Sequence, residues 1–326
     1  MSTTAWTPHK SSQLVAAALA VVLSAPGVAA ADSPKSGKDA TAYYISLGDS
    51  LASGYQPDVN QDTRIAYTDQ LYAQLKQRQP GLKHIRLGCT GETTASLLKG
   101  GTCHYPNARS QLDAAVKALA KHRGHVSYVT INIGANDILE CADDTTGAID
   151  QNCVNPAIQA IPKNLAEITR ALRQAGTQGT QYAGATYYNP FLAQWLRGSA
   201  GQQTAQGSVG LVKSENGAIS QVYAAAGFKV ADVAGAFSSD DVTPVSVPGY
   251  GEVPANVATI CRLTWACTMR DPHANPLGHQ VIASTFAAVL PPSGIPQQPG
   301  HANSGNAQDT RGNHPKTNAN LAQTRW

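Results

Sequence analysis

The sequence lacks the glycine patterns with which α/β proteins hold nucleotides: no Gly-x-Gly-x-x-Gly follows its first predicted strand, and it has no Walker loop. It also has no Cys-x-x-Cys pair and no paired histidines at zinc-ligand spacing. Charged residues make up only 14% of the chain, and the formal net charge of +3 is dispersed. These absences argue against a nucleotide-binding or redox protein, a zinc protein and a nucleic-acid partner. We expect neither a metal nor a cofactor.

Long apolar runs are also scarce, and the one that stands out lies at the N-terminus. Lys10 precedes the run Leu14–Leu23, and Val28–Ala30 supplies the small residues that signal peptidase requires. This order is typical of a secretory signal peptide over residues 1–31, with cleavage after Ala30 or Ala31. No later run approaches the roughly 20 residues that a membrane-spanning helix needs. We therefore expect a secreted, extracellular chain without an integral membrane span.

Six cysteines in an exported chain predict a disulfide framework, for which fifteen pairings are possible. The cysteines fall into three neighbouring pairs, each in its own loop rich in Gly, Thr or Asp. We expect three local bridges in sequence order, Cys89 with Cys103, Cys141 with Cys153, and Cys261 with Cys267. In the chain-entropy model, loops this short stabilise the fold by about 2–3 kcal/mol each.

Predicted strands and helices alternate between residues 42 and 290. The strands are expected at 43–47, 84–87, 126–133, 182–188 and 228–233, and the helices at 67–79, 110–122, 158–175, 211–226 and 276–290. This alternation predicts an α/β fold, a three-layer α/β/α sandwich with a central parallel sheet, as one domain over 42–290. Residues 291–326 have few aliphatic side chains and predict a disordered C-terminal tail.

Polar residues follow the first three predicted strands and precede the last helix. Ser50 ends the sequence Gly-Asp-Ser after the first strand, Gly88 follows the second, Asn136 follows the third, and His273 precedes the last helix. Because open α/β sheets bind ligands beyond the carboxyl ends of their strands, we expect these four residues to meet in one site.

Ser50 alone has two interpretations, because Ser and Asp are also the residues preferred as helix N-caps. Ester hydrolysis requires a nucleophile, a base that takes its proton, and donors directed at the developing oxyanion. Gly88 allows a backbone N–H to approach an oxyanion closely, the Asn136 amide can donate to it, and His273 can serve as base. Their presence favours Ser50 as a nucleophile, and Asp49 is expected to bind backbone amides of the turn.

The four polar blocks that contain these residues (48–50, 87–94, 134–137 and 271–279) resemble, in order and approximate spacing, those of the SGNH (GDSL-type) hydrolases, and the resemblance covers residues 45–290. The cysteine-rich loops and the segment from Thr186 to Leu192 resemble the secreted actinobacterial esterases and lipases of that family. The resemblance implies a flavodoxin-like sandwich and metal-free hydrolysis of acyl esters. It also implies that Ser50 is the nucleophile, His273 the general base, and that Ser50, Gly88 and Asn136 form the oxyanion hole.

The sequence departs from the family pattern next to His273. The family usually has an aspartate three residues before the histidine, where this chain has Arg270, and Asp271 stands only two before it. Asp271 must curl back to form a Ser-His-Asp triad, and Pro272 stiffens that turn. A backbone carbonyl, such as that of Arg270, could instead hold the ring and give a Ser-His dyad. The two arrangements remain open, with a slight preference for the dyad.

The expected substrate is a small-molecule or lipid ester, and we expect the chain to act as a monomer. Apolar residues after the fourth strand (Phe191, Leu192, Trp195 and Leu196) either line an acyl groove or belong to the core. A groove favours fatty acyl esters or phospholipids. The alternatives are a carbohydrate acetyl esterase on the same fold and a non-catalytic module that binds cell-envelope glycans.

Overall fold

A computed structural model of the chain describes residues 41–143 and 150–291. The predicted signal peptide lies outside the described residues, and so does the predicted tail apart from Pro291.

A five-stranded parallel sheet forms the centre of the domain. Its strands are β1 (Ala42–Gly48), β4 (Leu82–Arg86), β5 (Val126–Asn132), β6 (Gln181–Ala185) and β7 (Lys229–Ala231). They lie in the order β4-β1-β5-β6-β7, and in register Ile45 pairs with Ile85 on one side and Val129 on the other. This is the flavodoxin-like order, whose switch point lies between β1 and β5. The expected three-layer α/β/α fold is confirmed.

Helices cover both faces of the sheet, which explains why its central strands are continuously apolar rather than alternating. The long helices are α2 (Tyr67–Arg78), α4 (Gln111–Lys121), α6 (Gln151–Ala175), α7 (Gly198–Ala225) and α10 (Pro276–Val289). Helices α2 and α10 pack together, while α4 packs on α6 and α6 packs on α7. The strand side chains Tyr44, Ile45, Leu47, Val129 and Ile131 are fully buried between these two layers.

Short elements occupy the connections. They are α1 (Ser50–Ser53), the hairpin of β2 (Tyr55–Gln56) and β3 (Gln61–Asp62), α3 (Thr94–Lys99), α5 (Ala135–Leu139), the 3-10 helix Pro190–Arg197, α8 (Val233–Ala236), the hairpin of β8 (Pro244–Val247) and β9 (Gly251–Pro254), and α9 (Ala255–Leu263). Within the described residues, no helix combines the length and the apolar character needed to cross a bilayer.

The largest error of the sequence-based boundaries is at α7, which begins at Gly198 rather than at residue 211. Its first half is rich in Gly, Gln and Ser, has low helix propensity and shows no apolar stripe. Packing overrides propensity here, because the 3-10 helix lies so close that a Cβ on Gly201 would be 2.0 Å from the carbonyl oxygen of Gln194. Strand β6 also ends earlier than predicted, so that Tyr187 and Tyr188 lie beyond the sheet edge.

The structure contains three disulfide bonds, between Cys89 and Cys103, Cys141 and Cys153, and Cys261 and Cys267. These are the pairs expected from sequence order. The first lies in the segment after β4, and the last joins the final turn of α9 to the loop that follows it, so two of the bonds stabilise segments that lead into the candidate site.

Candidate active site

The turn after β1 presents Ser50 at the carboxyl edge of the sheet. Gly48 has a φ of +137°, and a Cβ there would be 2.2 Å from the carbonyl oxygen of Asn132 on β5, so only glycine fits. Asp49 caps α1 by accepting a hydrogen bond from the Leu51 N–H at 2.9 Å. This confirms the expected role of Asp49. The N-cap is therefore Asp49, and the Ser50 hydroxyl does not serve as the cap.

The Ser50 hydroxyl instead contacts a histidine that is 223 residues away in the sequence. Ser50 Oγ lies 2.7 Å from Nε2 of His273, and Nδ1 of the same ring lies 2.6 Å from Oδ1 of Asp271. Asp271 Oδ1 also accepts the His273 backbone N–H at 2.9 Å. The carboxylate thus curls back over two residues, contrary to the expectation that Pro272 would restrict it, and takes the position that the dyad interpretation gave to a backbone carbonyl.

The loop around His273 is fixed by contacts from several elements. The Tyr188 hydroxyl donates to the Pro272 carbonyl at 2.7 Å, and the Trp265 N–H donates to the His273 carbonyl at 3.0 Å. Arg270 has a φ of +59°, a left-handed conformation that is uncommon for this residue type. This turn comes directly before Asp271 and helps to explain how the chain reverses direction there.

Gly88 approaches the turn that carries Ser50. A Cβ on Gly88 would be 2.7 Å from the amide nitrogen of Ser53 in α1, so a side chain is excluded. Within the described residues, the Gly88 N–H has no hydrogen-bond acceptor, whereas the flanking N–H groups of Leu87 and Cys89 bind carbonyls of β1. The Ser50 N–H, at the first position of α1, has no intrahelical acceptor either.

Asn136 follows β5 at the start of α5. Its Nδ2 donates one hydrogen bond, to the carbonyl of Glu92 at 2.8 Å, and keeps a second N–H for another acceptor. The neighbouring Asp137 accepts hydrogen bonds from the Thr94 N–H and hydroxyl at 2.8 and 2.6 Å. Asp137 therefore binds the start of α3 to the segment after β5, and the cleft lining contains Ser50, Asn136 and His273 together.

A buried glutamine, Gln111, joins two of these loops. Its Oε1 accepts the Gly48 N–H at 2.6 Å, while its Nε2 donates to the Gly48 carbonyl and to Glu92 Oε2. The loop after β4 is therefore bound to the loop after β1. Sequence analysis missed this residue, although its signal was present: Gln111 stands on the same helical face as Ala115 and Leu119, where an apolar residue is expected.

Two carboxyl groups of the site have opposite pKa shifts. Burial raises the pKa of Asp49 to about 6, although the hydrogen bonds from the Tyr187 hydroxyl and the Leu51 N–H act to lower it. Burial also raises the pKa of Asp271, but the hydrogen bond from the His273 side chain and the charge of that ring outweigh it, so the net pKa lies below the ordinary value. Asp271 therefore carries a negative charge beside the ring in the neutral pH range.

An open cleft begins at Ser50, with about 560 Å³ between its walls including the solvent at its mouth. The walls are mainly apolar, formed by Leu51, Ile138, Leu139, Tyr187, Tyr188, Pro190, Phe191, Val212 and Pro272. Of the apolar residues considered in the sequence, Phe191 lines the cleft, Leu192 belongs to the core, and Trp195 and Leu196 pack against that core.

The cleft also contains a residue that sequence analysis missed. Glu215 of α7 lines the cleft and is only 5% exposed. It stands on the buried face of α7 between Val212 and Ile219. An acidic residue in an apolar helical stripe is a detectable signal, because Glu is seldom fully buried unless paired.

Comparisons with known proteins identify the family. Among curated proteins, none matches the chain. The solved structures that it resembles include a lipase from the goat rumen metagenome, with 15% identity, a TM-score of 0.51, and coverage of 76% of this chain and 97% of the other. An extracellular lipase from Streptomyces rimosus has 17% identity, a TM-score of 0.48 and coverage of 76% and 100%. The phospholipase A1 from Streptomyces albidoflavus has 21% identity, a TM-score of 0.42 and coverage of 68% and 99%.

The first of these structures supports the fold alone. The family model named GDSL-like lipase/acylhydrolase matches residues 46–281, which is most of the chain and includes all four polar blocks. The chain belongs to the GDSL-like lipase/acylhydrolase family and is, in general terms, an ester hydrolase.

Proposed function

We propose that this protein is a secreted serine hydrolase that cleaves fatty acyl esters with Ser50 as nucleophile, His273 as general base and Asp271 as the residue that orients the base. The observation that carries the proposal is the continuous chain of contacts from Ser50 Oγ to His273 Nε2 at 2.7 Å and from Nδ1 to Asp271 at 2.6 Å. These distances are in the range for a nucleophile, its base and the group that orients the base.

In this mechanism Asp271 accepts the Nδ1–H of His273, which leaves Nε2 unprotonated and facing Ser50. Ser50 Oγ attacks the ester carbonyl carbon as its proton moves to Nε2. The carbonyl π bond opens to an oxyanion, and the alcohol then leaves with the proton from His273. A water molecule, deprotonated by His273, cleaves the acyl-serine ester in the second half of the reaction and releases the acid.

The oxyanion is proposed to bind the N–H groups of Ser50 and Gly88 and the second N–H of the Asn136 amide. All three lack another acceptor within the described residues. The Asn136 donor is fixed by its bond to the Glu92 carbonyl, so little reorganisation is needed when the charge develops.

The apolar walls of the cleft support fatty acyl esters rather than acetylated sugars as substrates. Phe191 and Val212 line the cleft with Ile138, and an alkyl chain gains about 0.8 kcal/mol per CH₂ group buried against such a surface. The predicted signal peptide and the three disulfide bonds support secretion, because disulfides persist in oxidising compartments.

The test is hydrolysis of p-nitrophenyl butyrate by the wild type and by Ser50→Ala. We expect Ser50→Ala to lose at least about 10⁴-fold in kcat while its melting temperature stays within a few degrees, as is usual for loss of a covalent nucleophile. Ser199→Ala, at an exposed position at the start of α7, is the control and keeps the wild-type activity. Retention of a tenth or more of the activity by Ser50→Ala would reject the assignment.

A substrate panel then separates the ester classes. Rates on p-nitrophenyl esters of increasing chain length, phosphatidylcholine and acetyl-xylan should favour the fatty acyl esters. Activity confined to acetyl-xylan would identify a carbohydrate acetyl esterase instead. No hydrolysis of any ester, together with glycan binding, would favour the non-catalytic module.

A further inference from the structure

The polar groups that line the cleft are occupied by internal hydrogen bonds, with one exception that the mechanism does not use. The Tyr187 hydroxyl donates to Asp49, and the Tyr188 hydroxyl donates to the Pro272 carbonyl. Within the described residues, the side chain of Glu215 has no hydrogen-bond partner, and its Oε1 is completely covered. A buried polar group without a partner costs free energy and calls for an explanation.

The surroundings of Glu215 favour the neutral carboxylic acid. Burial raises its pKa to about 8, and the charge of nearby Asp137 adds to the effect. The cation closest to it along the chain, Lys213, binds Asp240 at 2.8 Å instead. A neutral carboxylic acid has one O–H donor and a carbonyl acceptor. Because Oε1 is covered, Oε2 is the oxygen through which Glu215 can bind a group in the cleft, as an O–H donor when it carries the proton.

The position of Glu215 distinguishes it from the groups that bind the reacting ester. It lies on α7, whereas Ser50, Gly88 and Asn136 follow strands of the sheet. Val212, one helical turn before it, lines the same cleft and is apolar. Among the polar side chains that line the cleft, Glu215 therefore differs in lying beside an apolar residue of the same helix and in having no internal hydrogen-bond partner among the described residues.

We infer that Glu215 is a specificity-determining residue that selects esters whose acyl chain carries a hydrogen-bonding oxygen beyond the ester carbonyl, such as a hydroxy-, keto- or ether-substituted acyl group. This inference rests on the proposed function, because it assigns the acyl side of the same cleft. A site with a buried polar group rejects a plain alkyl chain, since that chain would desolvate the Glu215 carboxyl and leave it unpaired. An oxygen in the acyl chain that lies within reach of the carboxyl provides the missing hydrogen bond.

The experiment uses p-nitrophenyl hexanoate and a matched series in which an ether oxygen replaces one chain CH₂ at successive positions. An ether oxygen accepts the Glu215 O–H, occupies nearly the volume of a CH₂ group and cannot lactonise. We compare the kcat/KM ratio of each ether ester to hexanoate among the wild type, Glu215→Met and Glu215→Gln. The intrinsic reactivity of each ester cancels when this ratio is compared between enzymes.

For at least one oxygen position, we expect the wild-type ratio to exceed that of Glu215→Met by about tenfold, the factor that the net free energy of one hydrogen bond gives. Glu215→Met should hydrolyse hexanoate at least as well as the wild type, and Glu215→Gln should keep part of the preference because its amide still donates. Glu167→Met, at an exposed position of α6, should leave every ratio unchanged.

Equal ratios in the wild type and Glu215→Met at every oxygen position would overturn the inference. If Glu215→Met does not fold, the wild type alone decides. The inference is then overturned if the wild-type kcat/KM values of the ether esters and of hexanoate merely follow the rates at which the same esters hydrolyse in alkali without enzyme. The proposed function fails in a different way, by the absence of p-nitrophenol release from every ester or by its survival in Ser50→Ala.

Discussion

The two halves of the site are held by different kinds of structure. Ser50 stands on a turn locked to the sheet, where Gly48 contacts β5 and Gln111 binds both backbone groups of Gly48. His273 stands on a loop that begins after α9, is tied back to that helix by the bond between Cys261 and Cys267, and has a left-handed turn at Arg270.

The two halves therefore differ in how firmly the backbone of each is held. Around Ser50 the backbone can hardly move without disturbing the core, since Asp49 is 1% exposed and accepts the Tyr187 hydroxyl from the loop after β6. Around His273 the position depends on a few hydrogen bonds, including that from Tyr188 to the Pro272 carbonyl, and on Asp271, whose side chain is 24% exposed. We therefore expect substitutions near His273 to affect activity more than stability.

The largest effect within this comparison is expected for Asp271→Asn. An amide in place of the carboxylate can donate to Nδ1 and hold the ring in the wrong tautomer, which costs about 10⁴ in kcat for a buried triad aspartate. Because Asp271 is partly exposed, we expect about 10³, measured as kcat on p-nitrophenyl butyrate. Asp58→Asn, at an exposed position, is the control. A loss below about tenfold would restore the Ser-His dyad.

A smaller loss is expected on the Ser50 side for Asn136→Ala. Removing one oxyanion donor costs about 10²–10³ in kcat with little change in KM. We expect the lower end of that range because the N–H groups of Ser50 and Gly88 remain. A change confined to KM would show instead that Asn136 contributes to substrate binding.

A pair of disulfide variants compares the halves directly. The double substitution Cys261→Ser with Cys267→Ser should lower the free energy of unfolding by about 2 kcal/mol, and activity should fall several-fold further because the His273 loop loosens. The matched pair Cys89→Ser with Cys103→Ser should lose similar stability but less activity, since packing against α1 still positions Gly88. If the two double variants lost equal activity at the same folded fraction, the proposed contrast would be contradicted.

The smallest effects are expected in the pH dependence of stability. The pKa of Asp49 is raised in the folded state, so the wild type loses stability relative to Asp49→Asn as pH rises from about 4 through about 6. The pKa of Asp271 is lowered, so its contribution is present above about pH 4 and is lost on acidification. Melting temperatures of the wild type and both variants between pH 3 and pH 8 should therefore diverge with opposite signs.

Local patterns were sufficient for the elements that carry Ser50 and Asn136, because β1 and β5 are buried β-branched and aromatic runs that end in Gly-Asp-Ser and Gly-Ala-Asn-Asp. They failed at the first half of α7, which is helical because the 3-10 helix packs on Gly201 rather than because of its own residues. Such a contact between elements leaves no periodic signal in either one.

The conformation of Asp271 could not be predicted for a related reason. A spacing of two residues is compatible with a carboxylate that faces solvent or one that faces the ring, and Pro272 favoured the first. The outcome depends on Tyr188, which follows β6 and binds the Pro272 carbonyl at 2.7 Å. Glu215 and Gln111 were detectable in principle, as polar residues on apolar helical faces, but their partners and surroundings lie in other parts of the sequence.

Covalent labelling with a fluorophosphonate, followed by mass spectrometry of the digested protein, tests the central claim most directly. An activated serine displaces fluoride from the reagent and keeps the phosphonyl group, so the label marks the nucleophile. We predict one adduct, on the peptide that contains Ser50, with labelling absent from Ser50→Ala and strongly slowed in His273→Ala. An adduct on another serine, or unlabelled Ser50 in a preparation that hydrolyses p-nitrophenyl butyrate, would contradict the account.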